Sequence, residues 1–142
     1  MQSLREQIIR DVIARCQAAI SPILVMRQPV VPIPRDRTPA LVVVVESDSP
    51  VQRSNNRIER ELIVSLKSLS RDDSDGYAIS DDIICRAHGA LMADVSLGGK
   101  ALGTEEADVD WLAEDADIDA VVIPARYRIR YRTMINDLTQ KG

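Results

Sequence analysis

Aromatic side chains are scarce in this chain: one Trp, three Tyr and no Phe among 142 residues. A core without them must be filled by Ile, Val, Leu and Ala. Apolar residues still make up 45% of the sequence, an ordinary share for a globular domain, and the length suits one domain, 1–142. Long hydrophobic runs are also missing. The longest, Ala40 to Val45, is strand-sized, well below the ~18 residues that span a bilayer. The N-terminal MQSLREQIIRDVIAR is charged and amphipathic, without the apolar stretch of a signal peptide. No transmembrane segment, signal peptide or membrane partner is therefore expected.

Cysteine occurs twice, at Cys16 and Cys85, with no framework around either. Both fall in aliphatic helical patterns, so both are expected as small buried hydrophobes rather than a disulfide or metal pair. Histidine occurs once, at His88, with nothing beside it in sequence to orient it as a catalytic base. An excess of positive charge is absent too. The net charge of −4 gives no whole-chain case for binding phosphates.

What is present is a readable order of elements. Leu4, Ile8, Val12 and Cys16 recur every four residues, widened by Ile9, Ile13 and Ile20, which predicts a helix over 3–20 ended by Ser21-Pro22. A short strand is expected over 23–26, then a proline-rich connection. ALVVVVE at 40–46 is apolar on both faces, as a strand inside a sheet requires. The polar SDSPVQRSNNR at 47–57 reads as the exposed tip of a hairpin whose second arm covers 58–69. On that arm Leu62, Val64 and Leu66 should face the core. Ser80-Asp81-Asp82 supplies N-cap and first-turn acids for a second helix. Its Ile83, Ile84, Ala87, Ala90 and Leu91 form one apolar stripe. Two strands follow, over 109–113 and 117–133, and 134–142 reads as a flexible tail. In the last strand Tyr127, Ile129 and Tyr131 alternate with Arg126, Arg128, Arg130 and Arg132. The expected fold is α+β, in the order α-β-β-β-α-β-β. A mostly antiparallel sheet of four to five strands should carry two helices on one face.

Nothing in the chain spells out catalysis. Asp73, Asp75-Gly76 and Asp82 approximate an EF-hand loop, but Arg71 stands where the first ligand belongs, so a solvated turn is the better reading. Gly98-Gly99 lacks the Lys and Ser/Thr of a phosphate loop and follows a helix instead of preceding one. No serine sits in a nucleophile elbow. Trp111 is expected as a core plug. No catalytic residue, cofactor or metal is expected.

Charge segregation is the sharpest feature. Glu105 to Asp119 holds eight acids and no base, and Arg126 to Arg132 then holds four arginines on one strand face. Two readings stand together: a solvated acidic segment pairing with a basic strand of the same chain, or complementary surfaces on neighbouring copies. A third reading sets the arginine row against nucleic acid. The candidate interface residues are Arg53, Arg57, Asp108, Asp110, Asp117, Asp119, Arg126, Arg128, Arg130 and Arg132.

The stretch HGALMADVSLGGKALG at 88–103, the later Asp110-Trp111 in acidic surroundings, and the closing ARYRIRYRT at 125–133 resemble the tail-terminator or minor tail proteins of lambda-like long-tailed bacteriophages and prophages. The resemblance runs along nearly the whole chain and rests on order and spacing, since none of these motifs is catalytic. It implies a structural virion protein, made in the host bacterial cytoplasm and carried in the virion tail. It further implies a homo-hexameric ring that caps the tail tube, ends its polymerisation and offers a surface to the head. Its partners would be other copies of itself, the major tail tube protein and a head-completion protein, with DNA only passing through the ring. Another head–tail joining or tail-tube-like subunit is the alternative, and a small nucleic-acid-binding module a more distant one.

Overall fold

The computed structural model describes residues 1–28, 33–71, 75–111 and 121–142. Its elements run α1 (Leu4–Ile20), β1 (Leu24–Arg27), β2 (Ala40–Ser54), β3 (Arg57–Ser70), α2 (Gly76–Met92), β4 (Gly103–Val109), β5 (Val121–Met134) and β6 (Asp137–Lys141), with a short 3-10 turn at Arg35–Arg37. This is the expected order with one strand added. The strands form a single sheet in the order β1-β2-β3-β5-β4, with β6 also paired to β5. All pairings are antiparallel except β1 with β2.

The helix α1 starts where Ser3 accepts the N–H of Glu6 at 3.1 Å, satisfying one of the donors a helix start leaves open. Glu6 stands where a capping box would place its acid. Its carboxylate instead takes Arg27 of β1 at 2.7 Å and Arg10 at 3.2 Å. The Arg27 hydrogen bond, with Arg10 assisting, lowers its pKa against a smaller opposing effect of burial. The predicted stripe of α1 is buried: Leu4, Ile8, Ile9, Val12, Cys16 and Ile20. Together with Ile83, Ala87 and Leu91 of α2 it covers one face of the sheet, where Leu62, Val64, Leu66, Tyr127, Ile129 and Tyr131 complete the main core. Each buried Val, Leu or Ile among them contributes ~1.5–3 kcal/mol through burial.

Several boundaries differ from the sequence expectation. The second helix begins at Gly76, a full turn before Ser80-Asp81-Asp82, because Tyr77, Ala78 and Ile79 continue the helical pattern and Ile79 packs on the core. Ser80 is thus fully buried within the helix and caps nothing. Gly76 is where the helix meets β5; a Cβ there would lie 2.9 Å from Val121 Cγ2. Ile84 is only partly buried, Ile83 taking the deeper position. Regular strand occupies most of 47–57, since β2 extends to Ser54 and only Asn55 and Asn56 turn. Two irregularities, between Val45 and Ser47 and between Pro50 and Gln52, let β2 keep pairing despite its proline. The fourth strand lies at Gly103–Val109, earlier than expected; its acids gain a place on the edge of β5 by pairing with arginines there. The expected strand over 117–133 is observed from Val121, and 112–120 fall outside the described residues. Residues 134–142 are not a free tail. They turn back at Asn136 and pair as β6, with the Gly142 N–H donating to Arg132 O at 3.2 Å.

Candidate functional site

Alternation along β5 sends Tyr127, Ile129 and Tyr131 under the helices and Arg126, Arg128, Arg130 and Arg132 to the opposite face, which carries no α-helix among the described residues. The same period of two puts Glu59 and Glu61 of β3, and Glu105 and Asp108 of β4, beside those arginines. The result is a ladder of ion pairs across four strands. Arg126 bridges Asp108 at 2.9 Å and Glu46 of β2 at 3.0 Å. To reach Glu46 it spans β3 at its register partner Ser65, a side chain small enough to lie fully buried beneath the bridge. Arg128 bridges Glu61 at 3.0 Å and Glu105 at 3.2 Å. Burial opposes the charge on Arg126, but Glu46 and Asp108 outweigh it and raise its pKa; the hydrogen bonds that Arg128 donates to Glu105 and Glu61 raise its own.

Toward the β2–β3 turn the ladder loosens. Arg130 lies 3.7 Å from Glu61 and 3.8 Å from Glu59, and Arg132 lies 3.8 Å from the same Glu59. These two arginines are 50% and 42% exposed, against 24% for Arg126. Beyond them Arg53 and Arg57 are exposed and form no ion pair among the described residues. Two shallow grooves follow this end of the face. One of about 390 Å³ is lined by Glu59, Leu102, Glu105, Arg128 and Arg130. The other, of about 190 Å³, is lined by Gln52, Arg57, Glu59 and Arg132.

Of the candidate interface residues, the structure thus brings Asp108, Arg126, Arg128, Arg130 and Arg132 together and leaves Arg53 and Arg57 at the turn. Asp110 follows β4 and is half-buried, its N–H donating to Pro124 O at 3.1 Å. Asp117 and Asp119 lie outside the described residues. Glu46, Glu59 and Glu61 were missed as partners, although Glu59 and Glu61 share the spacing that singled out the arginines. No sequence signal marked Glu46, which is two strands away and follows the first bulge.

Other sequence expectations are corrected here. Trp111 is 44% exposed and plugs no core, because β4 has ended two residues earlier. Cys16 is fully buried, which pushes its thiol up to about 12, whereas Cys85 is exposed on the outer side of α2. His88 accepts from or donates to the Tyr127 hydroxyl at 2.7 Å and lies 3.7 Å from Glu106. It ties α2 to β4 and β5. Gly76 and Asp82 are helical, so the last half of the EF-like spacing does not form a loop. Among the described residues no group of three ligating side chains could hold a metal, and no helix is long and apolar enough to cross a membrane.

A second polar cluster, absent from the sequence reading, lies on the helix-covered face. Tyr131 donates to Asp48 Oδ2 at 2.6 Å and Arg5 donates to the same oxygen at 3.0 Å. Asp48 is 10% exposed, and its Oδ1 is buried without a hydrogen-bond partner among the described residues. Burial, then the bond to Asp48, pushes the Tyr131 phenol above its ordinary pKa. The polar half of β2 is thereby fastened to α1 and β5.

No protein-family model and no curated protein matches the sequence. The fold is similar to that of a chain in the solved structure described as "Virion of native gene transfer agent (GTA) particle". The TM-score is 0.51 at 14% identity, and the match covers 92% of each chain. At that identity the likeness is one of fold.

Proposed function

We propose that this protein is a structural subunit of a phage-like particle and acts as its tail terminator. In this role it closes into a ring on the end of the tail tube, stops further polymerisation and presents a surface to the head-completion protein. The observation that carries the reading is the fold shared over 92% of both chains with a virion component. The sequence resemblance to tail terminators, reached from different features, points the same way. The reading includes no catalytic turnover. Another head–tail joining protein, or a tube-like subunit, remains the alternative within the same biology. A nucleic-acid module is disfavoured by the pairing of Arg126 and Arg128 with four carboxylates. These would stand among any incoming phosphates.

The deciding experiment is negative-stain electron microscopy with native mass measurement on the concentrated protein. Closed rings of one size support a terminator, since a rotation that closes generates a ring. Stacks or long tubes would assign it to the tube, and a strict monomer at all concentrations would reject the ring.

A further inference from the structure

We infer that copies of this chain meet head-to-tail, the arginine-bearing end of the sheet around the β2–β3 turn on one copy seating against an acidic surface of the next. The inference rests on the ring reading above and names the surface that would build it. Residues 52–61 and 128–134 hold six arginines against two glutamates, a local charge of +4 within a chain whose total is −4, which leaves −8 for the remainder. Strand pairing brings these two segments side by side: Arg57 is opposite Met134, Glu59 opposite Arg132 and Glu61 opposite Arg130. The end is held in place rather than hanging free, because β5 accompanies β3 to its first residue and the Ile135 N–H reaches Asn56 O at 2.6 Å.

Three physical consequences select the partner. Two such ends repel each other, so a symmetric contact through this surface is disfavoured and a head-to-tail one, between opposite charges, is favoured. Continuation of the sheet from copy to copy is blunted along the exposed part of β2 and along β4. The part of β2 beyond its pairing with β1 carries Pro50 and two bulges, and β4 carries Glu105, Glu106 and a bulge. Side-chain contact is thereby favoured over backbone pairing at these two edges. Finally, Arg53 and Arg57 have no acid in their own chain to satisfy them among the described residues, and Arg130 and Arg132 are only loosely paired, both 3.8 Å from Glu59 and Arg130 also 3.7 Å from Glu61. Double-stranded DNA would meet Glu59, Glu61 and Glu105 in the same surface, which favours a second copy carrying carboxylates at discrete positions.

The test is sedimentation velocity of the full chain at low and high salt, beside Arg53→Glu/Arg57→Glu and the milder Arg53→Gln/Arg57→Gln, with circular dichroism to verify folding. The wild type should assemble, and raising salt should weaken assembly. The Glu variant should weaken it about tenfold or more at low salt, with the Gln variant in between. Because the Glu variant keeps its acidic side, it should cap wild-type assemblies when mixed with them in equal amounts. Rings that form equally well in salt and in both variants would overturn this contact while leaving the terminator reading intact. A wild type that stays monomeric would overturn both. If fluorescence anisotropy shows a 20-base-pair duplex binding through Arg53 and Arg57 while assembly is unaffected in the variants, the partner is DNA and the proposal fails.

Discussion

The two faces of this sheet are made from the same strands, alternate residues of β3 and β5 serving each, yet they are held by different forces. On the helix-covered face Leu62, Val64, Leu66, Ile129 and Tyr131 are at most 2% exposed. Their contribution comes from surface withdrawn from water and is insensitive to salt. On the open face Arg126, Arg128, Arg130 and Arg132 are 24–50% exposed and sit opposite carboxylates. Their pairs are screened by solvent and contribute little to stability one by one. The first face makes the domain fold; the second leaves it a patterned surface that a partner can read. Even the open face is not uniform, since its ion pairs are tight beside β4 and loose beside the β2–β3 turn.

The comparison is most easily broken from the buried side. Leu66→Ala should lower unfolding free energy by ~2–5 kcal/mol, as for other large-to-small core changes, measured by urea denaturation. An unchanged midpoint would mean that the register of β3 is wrong. Next in size is Tyr131→Phe, which strips one donor from a nearly buried carboxylate whose other oxygen is already unpartnered. A loss of ~1–3 kcal/mol is expected, and Asp48→Asn made together with it should recover part of that loss if the unmatched charge is the cause. Arg126→Ala, on the open face, should cost no more than ~1 kcal/mol, and the difference should shrink in 1 M salt. A larger, salt-independent cost would show that the Arg126–Glu46 bridge over Ser65 is packing and not electrostatics.

The smallest effect is confined to acid pH. Asp94, in the turn after α2, accepts from the Gly98 N–H at 2.9 Å, from the Ser96 hydroxyl at 2.8 Å and from Arg15 of α1 at 3.2 Å. These bonds, the Gly98 N–H foremost, lower its pKa to about 2 from an ordinary 3.8. The folded form therefore holds the anion better than the unfolded chain does. Its contribution is present above pH ~4 and disappears as pH falls toward ~2. Melting temperatures of wild type and Asp94→Asn should differ at neutral pH and converge below pH ~2. A gap that persists there would assign the loss to altered turn geometry.

Legibility in the sequence followed the range of the interaction. The stripe of α1 and the alternation of β5 depend on residues a few positions apart, and both were readable with the correct burial. The start of α2 was misread because Ser80-Asp81-Asp82 has the composition of a cap, while the packing of Ile79 against the sheet extends the helix through it. The strand β4 was misplaced because GTEEADV has weak intrinsic preference for a strand. It is stabilised by arginines about twenty residues later, which local composition does not weigh. Trp111 is expected inside from its residue type and Cys85 from its place in an aliphatic helical pattern, and neither signal specifies which side of an element faces solvent.

By itself the sequence determined the α+β class, the order of the elements up to β5, the aliphatic core and the separation of arginines from apolar residues along β5, because each follows from periodicity within one segment. Only the tertiary structure decided which acids those arginines meet. Glu46 and Glu61 are 80 and 67 residues from their partners in the chain, so a register shift of one residue in β3 would have turned both Glu59 and Glu61 toward the helices. It also decided that the pairs tighten beside β4, where acids flank β5 from both sides, and loosen near the β2–β3 turn, where Arg130 and Arg132 share Glu59 and Arg53 and Arg57 have no acid among the described residues. The number of charges is a property of the sequence; which of them are already neutralised depends on how four strands align.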